Sequence, residues 1–194
     1  MKIPSPAEAD TLLSEANAIN PGAWSDHSKV AGHCAEIIAR YAGMNGDTAY
    51  SLGLLHDIGR RYGVTDMRHI FDGYTFLTEL GYTDYAHVCL THSFPLDCKN
   101  IAAYIGKNDC TADENAFITD FLTAHVYDDY DLLIQLCDAL AYSTGACQVE
   151  KRLIDVTIRK GFNEYTIFKW QQYLKLKDYF DVKTGTDIYK LIGV

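Results

Sequence analysis

The amino-acid sequence predicts an all-α fold, and three observations support this prediction. Apolar residues recur at helical spacing along most of the 194 residues, whereas alternating strand patterns are rare. Only four prolines interrupt the chain, so helices can run long. Serine, aspartate and glycine stand at the ends of several apolar stripes, as they do at helix caps. We therefore expect a helical bundle with extra helices at the C-terminal end.

Five helices are predicted in the first half of the chain, most of them from a capping residue and all of them from an apolar stripe. Ser5 is a predicted N-cap with Pro6 in the first turn, and a break follows at Asn20. Gly43 and Gly81 are predicted to end the second and fourth helices. The predicted helices cover about 5–18, 23–41, 47–56, 66–80 and 84–92, with Thr83 as the alternative start of the fifth.

The second half begins with the least regular stretch, 96–112, which is predicted to form a loop. Helices are then predicted at about 113–125, 128–143, 149–160 and 164–180. The acidic run 128–131 lacks the glycine and the distal glutamate of a calcium loop, so we interpret it as a helix start favoured by the helix dipole. The chain is expected to form one domain over 1–194, with a core at about 23–145 and a helical extension at about 146–194.

Composition and charge argue against several classes of function. The formal net charge of −9 and the pI of about 5.1 argue against binding to nucleic acids, although bound metal ions could still attract a small anionic substrate. No apolar run is long enough to span a membrane, and the first residues do not resemble a signal peptide, so a cytoplasmic protein is expected.

Six cysteines without a Cys-x-x-Cys pair are expected to be reduced and mostly buried. The C-terminal stripe of tyrosine and phenylalanine is interpreted as core or as a homodimer surface.

Polar residues on predicted apolar stripes give the strongest functional signal. His27, His56, His69 and His92 each fall on the apolar stripe of a predicted helix, and so does Asp138. A buried imidazole needs a partner, and an isolated buried carboxylate is especially costly. All five side chains are satisfied if they point at one another and share metal ions, since imidazole and carboxylate are good ligands for divalent transition metals.

Asp57 extends this set because it directly follows His56 near the end of a predicted helix. Adjacent residues are about 100° apart on a helix, so the two side chains can reach one centre from different directions. The carboxylate can also bridge two metals. The other histidines are interpreted differently: His33 shares a face with charged residues and should be solvated, His87 lies off the inner stripe, and His125 is a core or helix-end residue.

The segment Leu-His-Asp-Ile-Gly at 55–59 resembles the signature of the HD superfamily of metal-dependent phosphohydrolases. His27 matches the first histidine of the family, and Asp138 matches its final aspartate. The matching residues span 27–138, which is over half of the chain. The resemblance implies an HD-domain helical bundle in which His27, His56, Asp57 and Asp138 bind metal.

Two further matches resemble the branches of this superfamily that bind two metals. His69 with Gly73 resembles their His-x-x-x-Gly motif, and His92 resembles their second additional histidine. The branch that includes symmetrical diadenosine tetraphosphate hydrolases is the most similar, whereas the Gly-Tyr-Pro signature of cyclic-dinucleotide phosphodiesterases is missing because Thr75 follows Tyr74. The resemblance thus implies six metal ligands, namely His27, His56, Asp57, His69, His92 and Asp138.

The resemblance also implies cofactors and a mechanism. Two divalent metal ions per chain are expected, with iron or manganese favoured and zinc, cobalt, nickel or magnesium also compatible. Asp57 and a water would bridge the metals, and the resulting hydroxide would attack a phosphoester or phosphoanhydride of a nucleotide-like substrate. Arg60 stands where many relatives have lysine and is predicted to contact phosphate oxygens and stabilise their charge. Arg68 precedes His69 and is also predicted to face the substrate.

Two alternative functions stay open. The protein could be a one-metal nucleoside monophosphate phosphatase in which His69 and His92 bind no metal, and metal stoichiometry would separate this alternative from the two-metal enzyme. It could also be a non-catalytic helical signalling or scaffold module. Inactivity towards many phosphoesters with the metals loaded would favour the module.

Overall fold

The computed structural model describes residues 2–194 and confirms the all-α prediction. Helices make up 65 % of the chain, and the sheet has only two short strands. Strand β1 (Ala141–Tyr142) pairs antiparallel with β2 (Gly145–Ala146). Two 3-10 turns cover Ile58–Tyr62 and Ile101–Ala103. The α-helices are α1 (Pro6–Ile19), α2 (Ala23–Tyr41), α3 (Gly46–Leu55), α4 (His69–Glu79), α5 (Val88–Thr91), α6 (Ala112–Ala124), α7 (Asp129–Ala139), α8 (Val149–Lys160), α9 (Thr166–Thr184) and α10 (Ile188–Ile192).

Side-chain N-caps begin five of the ten α-helices within residues 2–194. Ser5 is the N-cap of α1, as predicted, because its side-chain oxygen accepts from the Glu8 amide at 3.4 Å. The Ser5 amide donates in return to the Glu8 carboxylate at 2.8 Å, which completes a capping box. The acidic run at 128–131 is a helix start, as predicted, with Asp128 as the N-cap of α7. The cap of α3 is Asn45, whose side-chain oxygen accepts from the Thr48 amide at 2.9 Å, rather than Asp47.

Three helices are shorter than the sequence predicted. Asp66 does not cap α4, because its carboxylate accepts from the Lys107 amide and pairs with Lys160, and α4 begins only at His69. Helix α5 has four residues, since the chain at 84–87 forms a turn. Helix α7 ends at Ala139 because the following residues form the β1–β2 hairpin. Helix α10 was not predicted.

Small residues bring α2 and α3 close together. A Cβ atom added at Gly53 would lie 2.8 Å from the Cα atom of Gly32, so neither helix could carry a larger residue at this crossing without moving. Helix α2 carries His27, and His56 directly follows α3. The close crossing therefore helps to set the distance between these two histidines.

The main hydrophobic core joins the first and last parts of the chain. Ile38 of α2 and Leu133 of α7 belong to the same buried cluster as Tyr173, Leu176 and Phe180 of α9. The C-terminal helices therefore pack on the same core as the helices that carry the predicted ligands. The six cysteines are free, and five of them are buried. Within residues 2–194, the search for helices long and apolar enough to cross a membrane finds none.

Candidate metal centre

The structure brings all six predicted ligands to one place. Each lies at or near the end of a helix, so several elements converge on the centre. His27 lies in the second turn of α2, His56 and His92 directly follow α3 and α5, Asp57 precedes the first 3-10 turn, His69 begins α4, and Asp138 is the penultimate residue of α7.

One half of the centre contains His27, His56 and Asp138. His27 Nε2 lies 3.0 Å from Asp138 Oδ1, and His56 Nε2 lies 3.9 Å from the same oxygen. The three ligand atoms all lie within 4.8 Å of one another, which is compact enough for a single metal ion.

The other half contains His69 and His92, with Asp57 between the two halves. Asp57 Oδ1 lies 2.9 Å from His69 Nε2 and 3.6 Å from His92 Nε2. Asp57 Oδ2 lies 4.0 Å from His56 Nε2. Asp57 is thus placed to face both halves, as a bridging carboxylate must be.

Backbone carbonyls orient all four imidazole rings. Because a carbonyl oxygen can only accept a hydrogen bond, each neutral ring carries its proton on Nδ1 and leaves the Nε2 lone pair facing the centre. Such a contact to a metal-binding histidine fixes both its tautomer and its ring orientation. The bonds run from His27 Nδ1 to Ala141 O (3.0 Å), from His56 Nδ1 to Gly53 O (2.6 Å), from His92 Nδ1 to Val88 O (3.3 Å), and from His69 Nδ1 to Asp66 O.

This arrangement leaves lone pairs facing one another in a buried space. When the rings are neutral, His69 Nε2 and the nearby Asp57 Oδ1 are both hydrogen-bond acceptors. The same holds for His27 Nε2 and Asp138 Oδ1. His56 Nε2 and Asp57 Oδ1 are buried and make no hydrogen bond. Unpartnered buried acceptors are costly, and divalent cations would satisfy them. The donor set therefore fits divalent metal ions.

Burial and charge favour the metal-binding protonation states of His92, Asp57 and Asp138. Burial lowers the pKa of His92 to about 3, so its ring is neutral at physiological pH. Burial alone would raise the pKa of the Asp57 carboxyl, but the positive charge of Arg60 holds it well below its ordinary value. The Asp138 carboxyl also has a lowered pKa, because the contact with His27 outweighs the effect of burial.

Arg60 orients Asp57. Its Nε donates to Asp57 Oδ2 at 2.7 Å, and its Nη1 donates to the Thr65 carbonyl at 3.4 Å. Asp57 Oδ1 is thereby left to face His69 and His92. Arg60 also lines the cavity beside the centre, so its guanidinium is available to an anion there.

Arg68, by contrast, does not reach this cavity. Its guanidinium pairs with Asp72 at 3.3 Å and with Glu114 at 3.0 Å, and it lines a separate surface depression. The prediction that Arg68 faces the substrate is therefore corrected. Arg68 directly precedes His69, and the side chains of adjacent helical residues point in directions about 100° apart, so the Arg68 side chain points away from the centre.

The cavity beside the centre has a volume of about 160 Å³, and residues of α8 and α9 form much of its lining. Cationic side chains of these helices line it, namely Arg152, Arg159, Lys160 and Lys169. Sequence reasoning missed all four. A signal was available for two of them, because Arg152 and Arg159 are seven residues apart and so lie on one helix face.

Lys169 is the most unusual of these residues. It is only 8 % exposed, and its Nζ lies 5.9 Å from the ring centres of Phe94 and of Tyr104. Within residues 2–194 it pairs with no carboxylate, whereas Lys160 pairs with Asp66. A buried cation without an anionic partner, next to a cavity, is suited to bind an anion.

Comparison with known proteins yields one family. The model of the HD domain matches residues 24–143, a range that contains all six predicted ligands. No curated protein and no solved structure matches the chain. The matched residues make up more than half of the chain and include the complete converging ligand set. The chain therefore belongs to the HD domain family.

Proposed function

We propose that the protein is a metal-dependent phosphohydrolase that cleaves a phosphoester or phosphoanhydride of a nucleotide-like substrate. Membership of the HD domain family supports hydrolysis, because this superfamily consists mostly of metal-dependent hydrolases. The observation that carries the proposal is the convergence of four oriented histidines and two carboxylates beside a cavity lined by cations.

Each group of the centre has a role in this proposal. His27, His56 and Asp138 would hold one divalent cation, and His69 and His92 would hold a second, with Asp57 shared between them. When bound, iron or manganese would act as a Lewis acid and lower the pKa of a coordinated water towards 7. Arg60 keeps the Asp57 carboxylate in place through its 2.7 Å bond and offers its remaining donors to a phosphoryl oxygen.

The lining of the cavity indicates the substrate class. Arg152 and Lys169 face the space next to Asp138 and favour an anion that carries phosphate groups. Trp170, Tyr173 and Tyr104 also line the cavity and offer aromatic faces for a nucleobase. A phosphorylated small molecule with an aromatic base combines both features.

The first test is the metal content of tag-free protein purified without chelator, together with hydrolysis assays on nucleotides. We expect about two equivalents of iron or manganese per chain and hydrolysis that chelation abolishes. One equivalent with activity only on nucleoside monophosphates would favour the one-metal phosphatase. No bound metal after reconstitution and no hydrolysis would contradict the proposal and leave a non-catalytic module.

Substitution of Lys169 tests the role of the cavity. The Lys169→Met variant should raise KM by about tenfold or more with a smaller effect on kcat, because a hydrogen bond to a charged group contributes about 1.5–3 kcal/mol. Its melting temperature should not fall, since the change removes a buried unpaired charge. The exposed Lys175 of the same helix provides the matched control, and Lys175→Met should leave KM unchanged. A wild-type KM in Lys169→Met would exclude Lys169 from substrate binding.

A further inference from the structure

A second cluster of potential metal ligands lies outside the centre described above. His87, His125 and Asp131 place their ligand atoms within 4.8 Å of one another. His125 Nε2 lies 2.8 Å from Asp131 Oδ2, and His87 Nε2 lies 3.5 Å from Asp131 Oδ1. The three residues come from the turn before α5, the end of α6 and the first turn of α7.

Asp131 is a fully buried carboxylate without a lysine or arginine partner among the described residues. Its side chain has no exposed surface, and only Thr91 donates to its Oδ1, at 2.7 Å. Lys99 donates to the backbone carbonyl of His125 rather than to this carboxylate. The Asp128 amide also donates to Asp131 Oδ2, at 3.2 Å. These neutral donors do not balance the charge of a buried carboxylate, and within residues 2–194 the only side chains near it that could carry a positive charge are the two histidines.

His87 is incompletely satisfied. Its Nε2 atom is buried and makes no hydrogen bond, although it lies near Asp131. A ring nitrogen without a hydrogen bond, next to a carboxylate and a second imidazole, is the donor arrangement of a transition-metal site.

The geometry also suits an ion that enters from solvent. In a tetrahedral zinc site with bonds of about 2.0–2.1 Å, ligand atoms are separated by about 3.3 Å. The His87 contact of 3.5 Å lies near this value, whereas the 2.8 Å hydrogen bond between His125 and Asp131 would open by a few tenths of an ångström to admit the ion. The side chains of His87 and His125 are 15 % and 23 % exposed, so an ion and one water can reach them. Phe121 stacks on the His125 ring with the ring centres 5.0 Å apart, which limits ring rotation.

We propose that His87, His125 and Asp131 bind a divalent ion of the zinc type, with water in the fourth position. This site is distinct from the HD centre, and it does not depend on the proposed hydrolysis. It lies alongside that centre, because Asp131 precedes Asp138 by two turns of α7 and His87 is joined to His92 through α5. A metal here ties α5 and α6 to α7 and supports the element that ends at His92.

The test is a count of bound zinc. Protein saturated with zinc and then dialysed is compared by elemental analysis in wild type, in the double variant His87→Gln/His125→Gln and in the control His33→Gln. His33 is 65 % exposed on the outer face of α2 and belongs to neither cluster. We expect the double variant to bind one equivalent less than wild type, whereas His33→Gln binds the wild-type amount.

A second measurement guards against misfolding of the double variant. The single variant His125→Gln removes one ligand at a partly exposed position, and circular dichroism checks its fold. Calorimetric titration with zinc should show that the affinity of the affected equivalent falls by about tenfold or more. Equal zinc counts in wild type and the double variant, or an unchanged affinity in folded His125→Gln, would overturn the proposal and leave a hydrogen-bonded cluster.

Discussion

The Asp57→Asn variant is expected to lose about 1,000-fold or more in hydrolytic activity, because a metal centre contributes several kcal/mol to transition-state stabilisation and each 1.36 kcal/mol is a factor of ten in rate. Asparagine keeps the size of the side chain but lacks the negative charge, so it cannot hold two cations together. The variant should also contain less metal than wild type. Activity with a nucleotide substrate and elemental analysis of the same preparation measure both effects.

The matched control for this variant is Asp47→Asn. Asp47 is 65 % exposed, pairs with Arg40 on the surface and is not one of the residues of the metal centre. An exposed ion pair contributes about 0–1 kcal/mol, so activity and metal content should stay at the wild-type level. Full metal content together with full activity in Asp57→Asn would show that this carboxylate neither bridges metals nor supports the reaction.

The convergence of the six candidate ligands could be predicted because helical periodicity places polar side chains on apolar helix faces. His27 and Asp138 each lie among apolar residues on a predicted helix face, where an ordinary core would bury them without a partner. A metal centre would supply that partner. The local motif at 55–59 adds the pair His56 and Asp57. Both patterns are local in sequence, so they can be recognised without knowledge of the tertiary fold.

The cavity and the second cluster could not be predicted in the same way. Lys169 comes from a helix that follows the last ligand by about thirty residues, and only the packing of α9 on the main core brings it to the centre. The sequence places His87 off the inner stripe of a helix predicted over 84–92, but the structure has a turn at 84–87, and this ring lies beside Asp131. Asp131 belongs to an acidic run that is typical of the first turn of a helix, where such residues are usually exposed. Its burial could therefore not be predicted from the sequence.

The contact between Gly59 and α4 is the point at which the fold and the centre depend on each other most directly. Gly59 lies in the first 3-10 turn, two residues after Asp57. A Cβ atom added at Gly59 would lie 2.0 Å from the His69 carbonyl oxygen and 2.5 Å from the Gly73 amide nitrogen. Both atoms belong to the backbone of α4, so no rotation of a side chain can relieve the overlap.

The Gly59→Ala variant is therefore expected to lose about 3 kcal/mol or more of unfolding free energy, at the upper end of the usual cost of overpacking. Helix α4 must move away from the turn, which carries His69 away from Asp57 and should also lower metal content. Urea unfolding and elemental analysis measure the two effects. Gly43→Ala is the control: its φ of +73° strains alanine by about 1–2 kcal/mol, but its Cβ would meet no neighbour. If Gly59→Ala matched this control in both stability and metal content, the close approach of the turn to α4 would not be what holds His69 at the centre.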